Sequence, residues 1–378
     1  MERMDNNTKA LLSLVKAGLW EKGTESLPPE EIGYEEVMRL ADEQSVVGLV
    51  TAGLERAIDL KVPKPYVLQF AGQSLQLEQR NIVMNKFIAK LINELRNAGI
   101  YTILLKGQEV AQCYEKPLWR ACGDVDLFLS DDNYEKAKAF LIPRASDVEK
   151  EYAREKHLCM TIDGWVVELH GHLYSGLSSS VEKELDRLQK DTFYGGQVRS
   201  WMNGQTQIFL LKAENDAFYV FTHLLQHFFK EGVGLRQLCD WCRLLYTYRD
   251  SLNYGLLEQR IKRAGLMSEW KAFGALAIEY LGFPKDSMPL LDVRSKKEDV
   301  RWRKKADRIM EFILKSGNMG HNRDMSHFSK YPYLIRKFVS MSRRISDLIN
   351  HAWIFPLDSL RFFPYIMFNG VRSAIRGE

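Results

Sequence analysis

Two aspartates, Asp124 and Asp126, stand at i and i+2 within Gly123-Asp124-Val125-Asp126-Leu127-Phe128-Leu129. In a β-strand that spacing puts both carboxylates on one face, while Val125, Leu127 and Leu129 turn the other way into a core. Burying paired like charges costs free energy, and a divalent cation is the usual compensation. Upstream, Leu104-Leu105-Lys106-Gly107 ends a short apolar stretch in a cation and a glycine. Such a turn lets phosphate approach backbone amides, with Lys106 supplying charge. Together these residues read as a metal-dependent phosphoryl-transfer site on a sheet. Arg120, four residues before Asp124, is a second candidate clamp for phosphate.

A third acid follows. His157–Ile162 and Trp165–Leu173 flank Asp163-Gly164, a two-residue hairpin signal. In the second strand Glu168, His170 and His172 share a face opposite Val167 and Leu169, which places Glu168 where it can join Asp124 and Asp126. His170 and His172 with Glu168 also draw a His/His/Glu zinc set, but no fourth ligand follows at a recognisable spacing. His170 fits better as a hydrogen-bonding neighbour of the acids. His223 and His227, at i and i+4, read as helix packing, and Cys239 and Cys242 fall in an apolar helical run as buried thiols.

The elements that must position these groups are legible in outline. Residues 1–98 read as helical, with Pro28-Pro29 and Pro63-Lys64-Pro65 as breaks. Ile82, Val83, Phe87, Ile88, Leu91, Ile92 and Leu95 form one stripe of a long helix stopped at Gly99. A strand at 100–105, one or two helical turns at 108–114, the acid strand at 124–129 and a helix capped by Ser130 come next. From about Gln205 the pattern is helical again, with Phe209–Phe229 and Gly234–Tyr248 clearest, and 286–300 reads as a linker. The expected organisation is an N-terminal helical region at 1–98, a small mixed-sheet core at 99–200, a helical domain at 201–285 and a basic, aromatic-rich region at 286–378.

Composition bounds the class. The 378 residues are 46% hydrophobic and 27% charged, which excludes a disordered chain and supplies enough apolar surface for a core. Net charge is +4, but residues 301–378 hold 15 Lys/Arg against 6 Asp/Glu, leaving the first 300 residues net negative. Five cysteines and no secretory leader pattern suit a reducing cytoplasm. No apolar run reaches membrane-spanning length, and the aromatics of 353–371 are expected to pack on the protein rather than rest on a membrane surface.

Leu-Leu-Lys-Gly, a following Arg, Gly-Asp-Val-Asp-Leu and the apolar-Glu-Leu-His strand resemble the uncharacterised nucleotidyltransferase family of the DNA polymerase β-like superfamily. The resemblance covers about residues 35–250. It departs where many superfamily members carry Gly-Ser at the turn and Asp as the third acid. It implies an α+β fold, a small mixed sheet flanked by helical regions. It also implies a turn at Gly107, metal ligation by Asp124, Asp126 and Glu168, and nucleotide contacts from Lys106, Gly107, Arg120, Gly123 and Arg236. His227, Arg236 and Asp240 resemble the family's helical segment, so His227 and Asp240, with His170, become supporting residues. Two Mg²⁺ ions, with Mn²⁺ an alternative, would serve transfer of an NMP from an NTP, ATP foremost, to a hydroxyl or phosphate acceptor. The acceptor is open and includes nucleic acid. Two other classes stand beside this one: a nucleotide-sugar glycosyltransferase using its Asp-x-Asp for metal, and a non-catalytic NTP-binding protein on the same scaffold.

Overall fold

The computed structural model describes residues 4–23, 32–57, 60–152, 155–230, 232–292, 295–317 and 345–376. Seven strands form one mixed sheet: β1 (Ile103–Leu105), β2 (Asp124–Phe128), β3 (Asp147–Val148), β4 (His157–Ile162), β5 (Trp165–His170), β6 (Val198–Asn203) and β7 (Thr206–Leu211). Their order across the sheet is β3-β4-β5-β2-β1-β7-β6. The acid strand β2 is central, antiparallel to β1 and parallel to β5. Four helices precede the sheet: α1 (Asn6–Trp20), α2 (Tyr34–Glu43), α3 (Val47–Leu54) and α4 (Lys64–Asn97). Between strands lie α5 (Gly107–Ala111), α6 (Asp131–Leu141) and α7 (Ser179–Phe193). After them come α8 (Ala213–Lys230), α9 (Leu235–Thr247), α10 (Tyr254–Ala264), α11 (Met267–Leu281), α12 (Lys296–Ser316) and a last helix, Pro356–Arg376. The fold is α+β, a mixed sheet flanked by helices.

Strand alternation sorts side chains into two cores. Leu104, Val125, Leu127, Leu129, Val167 and Leu169 join Met84, Phe87, Ile88, Leu91 and Leu95 of α4 and Tyr134, Ala137 and Leu141 of α6. On the opposite face Ile103, Leu105 and Phe128 join a larger core that takes in α1, α8, α9 and α11. A strand whose neighbours are buried on both faces holds its polar side chains to one register, because a one-residue slip would drive Asp124 and Asp126 into the aliphatic core.

Close backbone contact holds the N-terminal helices together. A Cβ on Gly18 of α1 would run into the Leu49 carbonyl of α3, and one on Gly53 of α3 into the Leu14 carbonyl of α1. Gly53→Ala is therefore expected to force the helices apart and lose about 2–3 kcal/mol, read as a lower urea midpoint at constant m.

Two expectations are corrected. Residues 198–211, expected to begin a helix near 205–209, form the β6–β7 hairpin, and the helix starts only at Ala213. Asn203-Gly204, with Gly204 at φ 61°, makes the tight turn, and Thr206–Leu211 pairs in parallel with β1 through Ile103↔Phe209 and Leu104↔Leu210. The supposed linker at 286–300 holds the start of α12, where the Ser295 side chain accepts from the Glu298 amide. The basic residues of 318–344 lie outside the described residues.

The last helix buries Phe362 and Ile366, beside Leu348, Ile354 and Phe355 of the segment before it, while Leu357, Leu360 and Phe368 stand exposed. Arg361 fixes the helix by donating to the carbonyls of Ala264 and Gly265 at the C-terminus of α10 and to Ser178 and Ser180 at the start of α7. Among the described residues no helix is long and apolar enough to cross a membrane.

Candidate active site

The acids and the turn share one face of the sheet because β1, β2 and β5 are neighbours, but among the described residues the carboxylates of Asp124, Asp126 and Glu168 do not all lie within 4.8 Å of one another. Asp126 is paired in register with Leu105 on one side and with Glu168 on the other, so the side chains of Asp126 and Glu168 emerge on the same face of adjacent strands. Asp124 shares that face two residues earlier on β2. The chain leaving β1 makes its turn with two unusual residues, Lys106 at φ 50° and Gly107 at φ 46°. A Cβ on Gly107 would press on the Cys122 sulfur at 3.1 Å. Positive φ at a lysine is strained and persists where surrounding contacts fix it. Here the Lys106 ammonium lies 2.9 Å from Asp126 Oδ1 and 6.0 Å from the centre of the Tyr219 ring.

The electrostatics follow from this crowding. Asp126 lifts the Asp124 carboxyl above its usual range, and burial adds to the effect. Burial would lower the Lys106 ammonium, but Asp126, Tyr219, Glu168 and Asp124 outweigh it and hold the lysine above its ordinary value. For Glu168 burial pushes upward, yet hydrogen bonds with His157 and His170 and the Lys106 charge keep it well below the carboxylate range. His170 bridges the acids, its Nε2 lying 2.8 Å from Asp126 Oδ1 and 3.5 Å from Glu168 Oε2. Burial would lower it, and those same carboxylates raise it above the usual histidine value.

Opposite the acids, α8 and α9 complete a cavity of about 60 Å³ lined by Lys106, Gly107, Val110, Arg120, Asp124, Asp126, Val220, His223, Leu224, His227, Arg236, Gln237 and Asp240. On α8 the stripe Tyr219, His223, His227 repeats every four residues and faces the sheet. On α9 Arg236 and Asp240 do the same. His227 Nε2 meets His223 Nε2 at 3.0 Å, and burial, followed by Lys106 and His227, drives His223 well below the usual value. Among the residues lining the cavity, Arg120 Nη1 and Arg236 Nε are buried without a hydrogen-bond partner.

Arg120 is engaged differently from a free phosphate clamp. Its Nε and Nη2 grip Asp240 at 3.0 and 2.6 Å, and the Tyr114 hydroxyl donates to the same carboxylate at 2.7 Å. Its third nitrogen, Nη1, is buried without a hydrogen-bond partner. Asp240 therefore supports Arg120, and among the described residues no ion pair joins it to Arg236. Arg236 instead donates to the Ala121 carbonyl at 2.9 Å. Burial and then the Arg120 charge lower its pKa. Gly123 sits in open space and no side chain there would be crowded. α5 has only five residues, so the turn's own amides, not a helix dipole, are what it can offer.

Sequence reasoning missed Tyr219 and His157, and read His223 as helix packing. His157 begins β4 directly opposite His170, and its Nε2 lies 3.2 Å from Glu168 Oε2. His172, grouped with Glu168 by alternation, falls beyond the end of β5 and approaches Asp186 instead, at 3.4 Å. Among the described residues the group whose potential ligand atoms all lie within 4.8 Å of one another is His157, Glu168 and His170. Cys239 and Cys242 are buried free thiols, as their apolar setting implies.

The donor chemistry at the acids is that of a hard-cation site: carboxylate oxygens whose mutual repulsion, visible in the raised Asp124, a divalent ion would relieve. In the same cavity lie Arg120 and Arg236, each with a buried nitrogen short of an acceptor. No curated protein and no solved structure matches the chain. The model of one family, described as uncharacterised nucleotidyltransferase, matches residues 30–282, a span that holds every described strand and every residue lining the cavity. The chain belongs to the uncharacterised nucleotidyltransferase family.

Proposed function

We propose that the protein transfers a nucleoside monophosphate from an NTP to a hydroxyl or phosphate acceptor at the cavity between β2 and α8–α9. The observation that carries this reading is the pairing of charge in one cavity: Asp124 and Asp126, with Lys106 against Asp126, and Arg120 and Arg236, each with a buried nitrogen lacking a hydrogen-bond partner. Two buried guanidinium groups, close enough for the Arg120 charge to lower the pKa of Arg236, are stabilised by an anion, and phosphate oxygens match their donors. Asp124 and Asp126 would hold Mg²⁺ entering with the triphosphate, and Glu168 an ion on the acceptor side. When bound, these ions supply charge neutralisation at the α-phosphate and lower the acceptor hydroxyl's pKa.

The chain's own residues divide the remaining work. Lys106 and the Gly107 amide hold β- and γ-phosphate oxygens, and Arg236 and Arg120 Nη1 take the charge that grows on departing pyrophosphate. His170 keeps Asp126 and Glu168 in one orientation by touching both. Tyr219 and His223 line the approach from α8. A nucleotide-sugar transferase is less well supported, since it normally sets a nucleotide-binding βαβ unit ahead of its acids, and among the described residues nothing before Ile103 is a strand. Parallel incubations with α-labelled NTPs and labelled UDP-sugars in cell extract test the reading. Label retained on an acceptor with release of pyrophosphate supports it, and release of UDP alone refutes it. Glu168→Gln is expected to cut label transfer by roughly a hundredfold while ATP binding changes less than threefold.

A further inference from the structure

The hairpin beside the acids carries a second kind of donor set. His157 Nε2 and His170 Nε2 both approach the same Glu168 oxygen, at 3.2 and 3.5 Å, and their rings stack with centroids 4.8 Å apart and 21° between planes. Two ligands bound to one zinc ion at ~2.0–2.1 Å in a tetrahedron lie about 3.3–3.5 Å from each other. These two separations are close to the edges of such a polyhedron, and one potential ligand atom from each of His157, Glu168 and His170 lies within 4.8 Å of the others. Asp126 Oδ1 stands beside this group, 2.8 Å from His170 Nε2 and 2.9 Å from the Lys106 ammonium, but is not one of its members.

The backbone makes this arrangement rigid. His157 and His170 are direct partners in the antiparallel β4–β5 ladder, and Glu168 is one pleat along from His170, so three side chains rise from a single hairpin face with no loop among them. Tyr152 stacks on His157 from outside at 6.0 Å and restricts its ring. Two imidazole nitrogens and one or two carboxylate oxygens suit Zn²⁺, Mn²⁺ or Co²⁺, whereas Mg²⁺ strongly prefers oxygen and water.

We propose that His157, His170 and Glu168 form a resident site for a transition-metal dication of the zinc class, distinct in preference from the oxygen-only position at Asp124 and Asp126. This refines the two-metal reading of the cavity, but occupancy needs no nucleotide and no turnover. The ion would sit on the acceptor side, held by the chain, while Mg²⁺ arrives with the triphosphate.

Calorimetry on the full-length, EDTA-treated chain tests the site with Zn²⁺ and Mg²⁺ alone, supported by the absorption spectrum of the Co²⁺ form. The expected result is one equivalent of Zn²⁺ bound at least ~100-fold more tightly than Mg²⁺, with intense visible Co²⁺ bands of low coordination number. His157→Asn is expected to weaken Zn²⁺ by roughly 10- to 100-fold and leave Mg²⁺·ATP affinity within threefold. Cys159, opposite Glu168 on β4, offers the rival ligand, so Cys159→Ser should leave Zn²⁺ affinity unchanged. Zinc binding equal to wild type in His157→Asn, or loss of it in Cys159→Ser alone, would overturn the assignment. Should nucleotidyl transfer prove absent while Zn²⁺ still binds through His157, the metal site stands and the function falls.

Discussion

Asparagine in place of Asp124 is expected to make the protein more stable and catalytically dead. Asp126 and burial hold the Asp124 carboxyl above its usual range, so the folded state binds that proton more readily than the unfolded chain does. A raised acid weakens folding as pH climbs from the unfolded value near 4 through the folded one, and the full cost is present at neutral pH. The uncharged amide of the Asp124→Asn variant carries no such cost. Denaturation curves should show the variant ahead at pH 7, with the two proteins converging below pH 4. Adding Mg²⁺ should narrow the gap from the other side, by stabilising only the wild type. Label transfer from an NTP should drop on the order of a thousandfold. A purely structural aspartate would show the reverse pattern, lower stability and undiminished transfer.

Arg120→Ala is expected to cost about 3–5 kcal/mol, the largest loss of stability among single substitutions at the site. The substitution strands Asp240, buried on α9, with only the Tyr114 hydroxyl for company. A buried pair broken on one side is far worse than a pair removed. The double variant Arg120→Met, Asp240→Leu should therefore recover most of the lost stability. Recovery of folding separates the two duties of Arg120. In the double variant the Arg120 guanidinium is gone from the cavity lining, so ATP affinity should remain roughly tenfold weaker even though the fold is restored. Wild-type ATP affinity there would mean that Arg120 serves the fold alone.

The contrast between these two residues shows what local sequence can and cannot reveal. Asp124 and Asp126 were legible because strand alternation is strictly local, and Glu168 because Asp163-Gly164 set the hairpin that carries it. The aliphatic stripe of α4 likewise fell on the second core as its periodicity requires. Arg120 could not be judged from its spacing to Asp124, since its partner lies 120 residues away and reaches it only once α9 has docked. His157 was within reach of the Asp163-Gly164 signal, since a two-residue turn there pairs it with His170, but alternation along the second strand alone does not show it. Tyr219 and His223 belong to the four-residue repeat ending at His227, a pattern that helix packing imitates. The β6–β7 hairpin was hidden differently: Thr206–Leu211 is a short apolar run leading into an apolar helix, and such runs carry no periodicity of their own. Asn203-Gly204 was the available signal.

The central claim is that the acids and the cations of one cavity hold the two ends of one metal-bound triphosphate. Its most direct test is a crystal structure with Mn²⁺ and a non-hydrolysable NTP, using the manganese anomalous signal to place the ion. The account predicts an anomalous peak between Asp124 and Asp126, with phosphate oxygens within hydrogen-bond distance of Lys106 and Arg236. Manganese absent from both aspartates, or a triphosphate seated away from the α8–α9 wall, would contradict it.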